Sequence, residues 1–313
     1  MNGRISSVKD IQLKPGITVD GIIKELRESG GFVGRNLAEA VDILSLMNKD
    51  RDTLKFLSFP AAPIATGLRG VLKEIVRMRL TDVIITTAGT LDHDLARCWK
   101  TYYKGDFTLD DVTLARKGFH RLGSVLIPKE SYGPLLERKL QPFFSSLYNE
   151  GIREVSSAEV SSRLGEYVND DSSILYWASK NKIPILIPGI TDGAVGNQIW
   201  LFSQKHRDFK VNILKDQELL SNLIFLAKKT GALMIGGGIS KHHTLWWNQF
   251  RGGLDYAVYI TTALEYDGSL SGAPIREAVS WGKVKPKAKK VTVNGEATAL
   301  LPFMITALLE RIE

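Results

Sequence analysis

Cysteine is almost absent: Cys98 is the only one in 313 residues. No intrachain disulfide can form, and a cysteine-based metal cluster is excluded. Long apolar runs are missing too. The most apolar stretch, 221–239, is broken by Lys228 and Lys229, so no segment is long enough to span a bilayer as a helix. The opening residues, MNGRISSVKDIQLKPG, contain no apolar signal core. A soluble, cytoplasmic protein is therefore expected, in line with the low cysteine usage. The sequence also lacks a G-x-G-x-x-G fingerprint and a P-loop, which leaves an ordinary dehydrogenase or an NTPase unsupported. Neither His242 nor His243 has a partner at a spacing such as H-x-x-x-H, so no metal is expected.

What is present suits a globular fold. The composition is 44% hydrophobic and 24% charged, with no repeat or low-complexity tract. The net charge of +7 could favour nucleic acid or an acidic protein. Its one dense run, Lys283, Lys285, Lys287, Lys289 and Lys290, lacks the interleaved aromatics of a single-strand binding surface. The run reads as a solvated loop, and nucleic acid is not expected.

From about residue 50, apolar strand-like runs alternate with helical patterns. The expected strands are TDVIITTAG (81–89), SVLIP (124–128), IPILIPG (183–189), FKVNIL (209–214), ALMIGGG (232–238) and YAVYIT (256–261). Continuous rather than alternating apolarity implies strands covered on both faces. The order of elements predicts an α/β fold: a Rossmann-like, doubly wound, mostly parallel sheet. Residues 1–50 hold two helices, near 18–28 and 35–48, around a GGF turn, and look like an N-terminal helical extension to a catalytic domain over 51–313. Ligands of such sheets bind beyond the carboxyl ends of the strands. Small residues stand there: Thr87-Ala88-Gly89, Thr191-Asp192-Gly193, Gly236-Gly237-Gly238 and Thr262-Ala263. Together they suit close approach of backbone to a nucleotide.

The segment 236–283 concentrates reactive types. His242 and His243 follow the triple glycine, where a histidine could serve as a general base or simply cap a helix. Lys283 follows Trp281 and Gly282. A lysine beside a large aromatic can lose hydration and act as an amine nucleophile; in a basic loop it can equally be solvated. Asp267 and Glu277 could hold a polycation or pair with surface lysines.

GGGISKHH, DYAVYITTALEYDGS and EAVSWGK closely resemble motifs of the deoxyhypusine synthases, as do TDVIITTAG, IPGITDGAVGN and GGFVGRNLAEAV. The likeness runs over roughly residues 8 to 305, and the DHDLAR wording is archaeal in type. The resemblance implies tightly bound NAD, and a homotetramer with paired sites at dimer interfaces. It implies spermidine as aminobutyl donor and a hypusine-bearing translation initiation factor as acceptor. Carried over by motif, Lys283 forms the covalent imine and His242 is the base. Trp281 lines the aliphatic part of the polyamine. Thr87, Ala88, Gly89, Asp192, Gly237, Thr262, Ala263 and Glu296 contact the dinucleotide. Asp267, Ser269, Glu277 and Tyr259 belong to the polyamine and active-site set, and the N-terminal segment is a flap over a neighbouring subunit's site.

The sequence departs from that pattern at the amine site. His93 stands where the family has a glutamate, Asn197 and Leu270 each replace an aspartate, and Trp246 replaces an asparagine. Asp92 and Asp94 flank His93 and are candidates to compensate. These changes leave two alternatives open: a homospermidine-forming relative that passes the aminobutyl group to a small amine, and a catalytically silent regulatory paralogue.

Overall fold

The computed structural model describes residues 6–312. Helix α1 (Val19–Glu28) begins where the Thr18 hydroxyl accepts the Gly21 amide, and α2 (Phe32–Lys49) follows a turn at Gly30–Gly31. Strand β1 (Thr53–Phe59) leads through the short α3 (Ala62–Ala65) into α4 (Leu68–Arg77). Strand β2 (Val83–Thr86) feeds α5 (Gly89–Trp99). An excursion follows: β3 (Tyr103–Lys104), α6 (Asp111–Arg116), β4 (Phe119–Leu122), β5 (Val125–Pro128), α7 (Gly133–Asn149), β6 (Glu154–Val155), α8 (Ser157–Val168) and α9 (Ile174–Asn181). The chain returns with β7 (Ile185–Leu186), α10 (Ala194–Lys205), β8 (Lys210–Val211) and α11 (Leu214–Leu226). It ends with β9 (Lys229–Ile235), α12 (Gly238–Gln249), β10 (Leu254–Thr261), β11 (Val284–Asn294) and α13 (Ala297–Ile312).

Six strands form the main sheet in the order β11-β10-β9-β1-β2-β7, and every pairing is parallel. Counting only these strands from the β7 edge, the order is 3-2-1-4-5-6, the doubly wound arrangement expected from the sequence. Side chains alternate across the sheet. Leu57, Phe59, Ile84, Leu233, Ile235, Val258 and Ile260 join one core with α2, α4, α5 and α13. Phe56, Val83, Ile85, Ala232, Met234, Ala257 and Tyr259 join another with Leu220 and Ile224 of α11 and Leu245 of α12. Coverage on both faces is why the strands read as unbroken apolar runs.

Several segments differ from their sequence expectation. SVLIP is β5, paired antiparallel to β3 and β4 in a small separate sheet. FKVNIL contributes only two residues, as β8, and pairs with β6 away from the main sheet. The lysine run is no loop. From Lys285 onward it lies in edge strand β11, whose register against β10 jumps between Leu254–Val284 and Tyr256–Lys289. Charged side chains and a bulge on an exposed edge prevent further strand pairing, which explains the composition without a ligand. Within residues 1–50, α2 shares the main core through Leu37, Val41, Leu44 and Met47. Met47 lies so close to β9 that a Cβ on Gly231 would come within 2.5 Å of its sulfur.

Two buried acids hold the layers together. Asp94, on α5, accepts from Arg69 Nε at 2.6 Å, Ser173 Oγ at 2.6 Å and the amides of Ile174 and Leu175 at 3.2 and 3.0 Å. It thereby ties α4 to the N-terminus of α9, where amide donors and the helix dipole favour a negative charge. Asp92 serves α10 likewise, accepting from Ala194 and Val195 amides at 2.8 Å each and from the Tyr132 hydroxyl at 2.7 Å. Burial holds its carboxyl above the usual carboxylate range. Asp94→Ala strands the Arg69 guanidinium in the core and is expected to cost about 3–5 kcal/mol. Urea denaturation checks this, and a loss below 1 kcal/mol contradicts it.

Candidate active site

All the glycine-rich strand ends meet at one edge of the sheet because all six strands run the same way. After β2, the Thr87 hydroxyl accepts the Ala61 amide at 3.0 Å and so joins the turn after β1 to the turn after β2. Gly89 must be small, since a Cβ there would come within 2.9 Å of Ala61 Cβ. Ala88 faces Gly193, whose own Cβ would lie 2.8 Å from Ala88 Cβ. Asp192 stands exposed just before α10. After β9, Gly236 and Gly238 adopt φ of +64° and +71°, in the left-handed region that favours glycine. Gly237 between them is pressed against Ser271.

Two cavities open on this edge. One, of about 790 Å³, is lined by Thr262, Ala263, Tyr266, Arg276 and Asn294. The other, of about 860 Å³, lies between the residues after β1 (Ala62–Leu68), Arg97, Tyr102 and Glu296. Glu296 accepts the Ala299 amide at 3.0 Å at the start of α13. The stretch Pro60–Gly67 was not singled out in the sequence. The signal for it was the alternating TLKFLSF strand ahead of it, which places this turn at the central position of the sheet.

The reactive segment folds back over α12. Lys241 is fully buried, and its ammonium donates to the carbonyls of Leu270 and Ala273 at 2.8 and 2.7 Å while lying 3.7 Å from the Tyr259 ring centroid. Burial lowers its pKa to about 8. The Tyr259 hydroxyl and Thr261 Oγ1 both donate to the Ser271 carbonyl, at 2.6 and 2.9 Å. The 262–283 loop is therefore clamped from below. Tyr259, expected in the polyamine and active-site set, is completely buried and anchors the loop. Asp267 and Ser269 lie on the outer side of the loop, where the Ser269 amide donates to Asp267 at 2.6 Å. That contact and the Ser269 side chain hold the Asp267 carboxyl below its usual range. Glu277 is exposed, and its charge acts on Lys241.

His242, from α12, comes together with Trp281 and Lys283 at the far end of the 262–283 loop. Lys283 Nζ lies 5.2 Å from the Trp281 ring centroid and 5.9 Å from that of Trp246. The His242 ring stacks on Trp246 with centroids 5.9 Å apart and planes at 22°. Partial burial and the nearby Lys283 lower the His242 pKa, so its imidazole is neutral and able to accept a proton.

His93 stands apart. It is buried, with Nδ1 3.0 Å from the Tyr102 hydroxyl and its ring 5.4 Å from that of Tyr132. Asp92 and Asp94, which flank it, are both engaged at helix N-termini. Asn197 is exposed on the first turn of α10, and Leu270 offers the site only its carbonyl, already held by Lys241. Among the described residues, no group of three or more histidine, cysteine, aspartate or glutamate side chains could hold a metal ion. No helix among them is long and apolar enough to cross a membrane.

Sheet order, glycine-lined strand ends and a lysine–histidine centre define a Rossmann-like α/β protein equipped for amine chemistry. The deoxyhypusine synthase family model matches residues 21–308. The chain is 52% identical over 303 residues to a probable deoxyhypusine synthase of Picrophilus torridus, covering 97% of both chains. It is 50% identical over 302 residues to one from Thermoplasma acidophilum, covering 96% of this chain and 97% of that one. The crystal structure of a candidate deoxyhypusine synthase from Entamoeba histolytica superposes with a TM-score of 0.68 at 20% identity, covering 96% of each chain, and shares the fold. The chain belongs to the deoxyhypusine synthase family.

The buried histidines give a pH dependence with a definite sign. Burial, aided by Arg97, lowers the His93 pKa to about 4, and burial, aided by His242, does the same for His243. The unfolded chain takes up these protons near 6.5, before the folded one does. Stability from this source is complete above pH 6.5 and lost as pH falls toward 4, on the order of 1–2 kcal/mol for each histidine by pH 5. Urea midpoints at pH 7.5 and pH 5 check this. His93→Gln should lose part of the difference, and an unchanged difference in that variant assigns it to other groups.

Proposed function

We propose that the chain acts as a deoxyhypusine synthase, moving the 4-aminobutyl group of spermidine to one lysine of the hypusine-bearing translation initiation factor. The observation that carries this reading is the convergence of His242, Trp281 and Lys283 in a member of that family. The residues at the sheet edge fit NAD. Cavities of about 790 and 860 Å³ open there beside Thr262, Ala263 and Glu296, and the turns after β1 and β9 flank the switch point of the sheet. Thr87, Ala88, Gly89, Asp192, Gly237, Thr262, Ala263 and Glu296 would hold it. When bound, NAD would supply reversible hydride storage for the carbon beside the secondary amine of spermidine.

The chain's own residues do the rest. Neutral His242 takes a proton from the substrate amine. The Lys283 amine adds to the oxidised carbon and displaces 1,3-diaminopropane, and Trp281 lies along the four-carbon chain. The acceptor lysine then displaces Lys283. Water must be kept from the imines, a task suited to burial between subunits of a homotetramer. Residues 6–17, which lie outside regular secondary structure ahead of α1, would provide the flap. Asp267, Ser269, Glu277 and Asn197 are the polar groups in reach of the amine.

Incubation of enzyme, NAD, spermidine and acceptor protein should add an aminobutyl group to a single acceptor lysine, read by mass spectrometry. Product on a small amine alone would support the homospermidine-forming alternative. Lys283→Arg should abolish transfer and spare NAD binding measured by calorimetry, because arginine stays protonated and cannot serve as the nucleophile. A borohydride-trapped adduct persisting in that variant would move the imine to another lysine. Asp267→Asn should weaken spermidine use if it partners the substrate ammonium; unchanged turnover removes it from the amine site. With His242 as base, kcat/KM should fall as pH drops, with its acid limb below the ordinary histidine value of 6.5. A pH profile flat down to pH 5 excludes that role.

A further inference from the structure

Trp246 stands one helical turn beyond His242 on α12, and Phe250 one turn beyond Trp246, so the three rings share a face. Trp246 stacks on His242, and Phe250 meets Trp246 edge-on at 5.9 Å and 90°. These rings are not core: Trp246 is 44% exposed, Phe250 49% and Trp281 67%. The Lys283 ammonium already sits within 6 Å of both indole centroids, the range over which a ring face attracts a cation. Carboxylates are few at this spot: Asp92 and Asp94 are engaged at helix N-termini and Asp267 is turned to Ser269, which leaves the exposed Glu277.

We propose that Trp246, with Trp281, forms a two-walled cation site that sets specificity for an aliphatic polyamine; this rests on Lys283 being the imine-forming amine. Positive charge arises between these walls during the reaction. The nitrogen of Lys283 forms a bond to the oxidised carbon, the bond from that carbon to the departing diamine breaks, and the diamine leaves with the proton. The iminium remains on Lys283 with no change of oxidation state. The two indole faces hold both the incoming ammonium and this iminium, in place of a carboxylate pair. Trp246 also fixes the plane of the His242 imidazole.

Calorimetric titration of the NAD-loaded enzyme with spermidine tests the site without requiring turnover. Trp246→Leu keeps bulk but removes the π face and should weaken spermidine binding by roughly 3- to 30-fold. Trp246→Phe should stay within about 3-fold of wild type. NAD affinity should be unchanged in both, and steady-state kinetics should show the loss chiefly in KM. Wild-type affinity in Trp246→Leu overturns the proposal, as does equal damage in Trp246→Phe, which would make size rather than the π face decisive. Should Trp246→Leu fail to fold, Trp246→Tyr and Trp246→Gln take the same two roles. Spermidine bound normally by wild type without any transfer to the acceptor protein would instead refute the assigned function and leave the cation site standing.

Discussion

Parallelism is the constraint from which the rest follows. A sheet whose strands all point one way must send each connection back across a face, so both faces are covered by helices and every strand ends at the same edge. That edge gathers residues from positions 60, 87, 193, 237, 262 and 295 into one surface. No local interaction brings them together. The handedness and order of the crossovers do, and they leave the crevice beside β1 and β9 as the place where a ligand's backbone contacts come from two halves of the chain.

The fold was legible in the sequence wherever periodicity was decisive. β2, β9 and β10 and the helices α1, α2, α4, α11 and α12 follow from apolar pattern alone. Edge strand β11 was hidden because its lysines are the very device that protects an edge, and the same residues suggest a solvated loop. SVLIP and FKVNIL are apolar enough for strands, but local pattern carries no information about which sheet a strand joins. Residues 1–50 looked appended because they precede the first strand, whereas α2 supplies a layer of the main core.

The groups proposed to react were more legible than their surroundings. His242, Trp281 and Lys283 stand in distinctive motifs, and three-dimensional proximity adds only their mutual distances. Tyr259 and His93 were harder. Both types are amphipathic, and sequence does not say whether the polar tip meets a ligand or the protein. In each case the answer is the protein: Tyr259 reaches the Ser271 carbonyl, and His93 pairs with Tyr102. Lys241 was concealed between a glycine turn and two conspicuous histidines.

Buried charge organises the site as much as apolar packing does. Asp92, Asp94 and Lys241 are each nearly inaccessible; Asp94 pairs with Arg69, and beyond that pair all three are satisfied by backbone or neutral groups. An isolated buried charge is costly, and only a fixed constellation of dipoles offsets it. The constellation must therefore keep its shape. Asp92 needs the first amides of α10 beside it, which sets the Asp192–Gly193 turn. Lys241 needs the carbonyls of Leu270 and Ala273, which sets the loop over α12. Two surface loops, the 192–193 turn and the 262–283 loop, are thus each fixed by a buried charged side chain beneath them. Asp92 and Asp94 are thereby committed to the fold, while the aromatic faces of Trp246 and Trp281 beside Lys283 stay open.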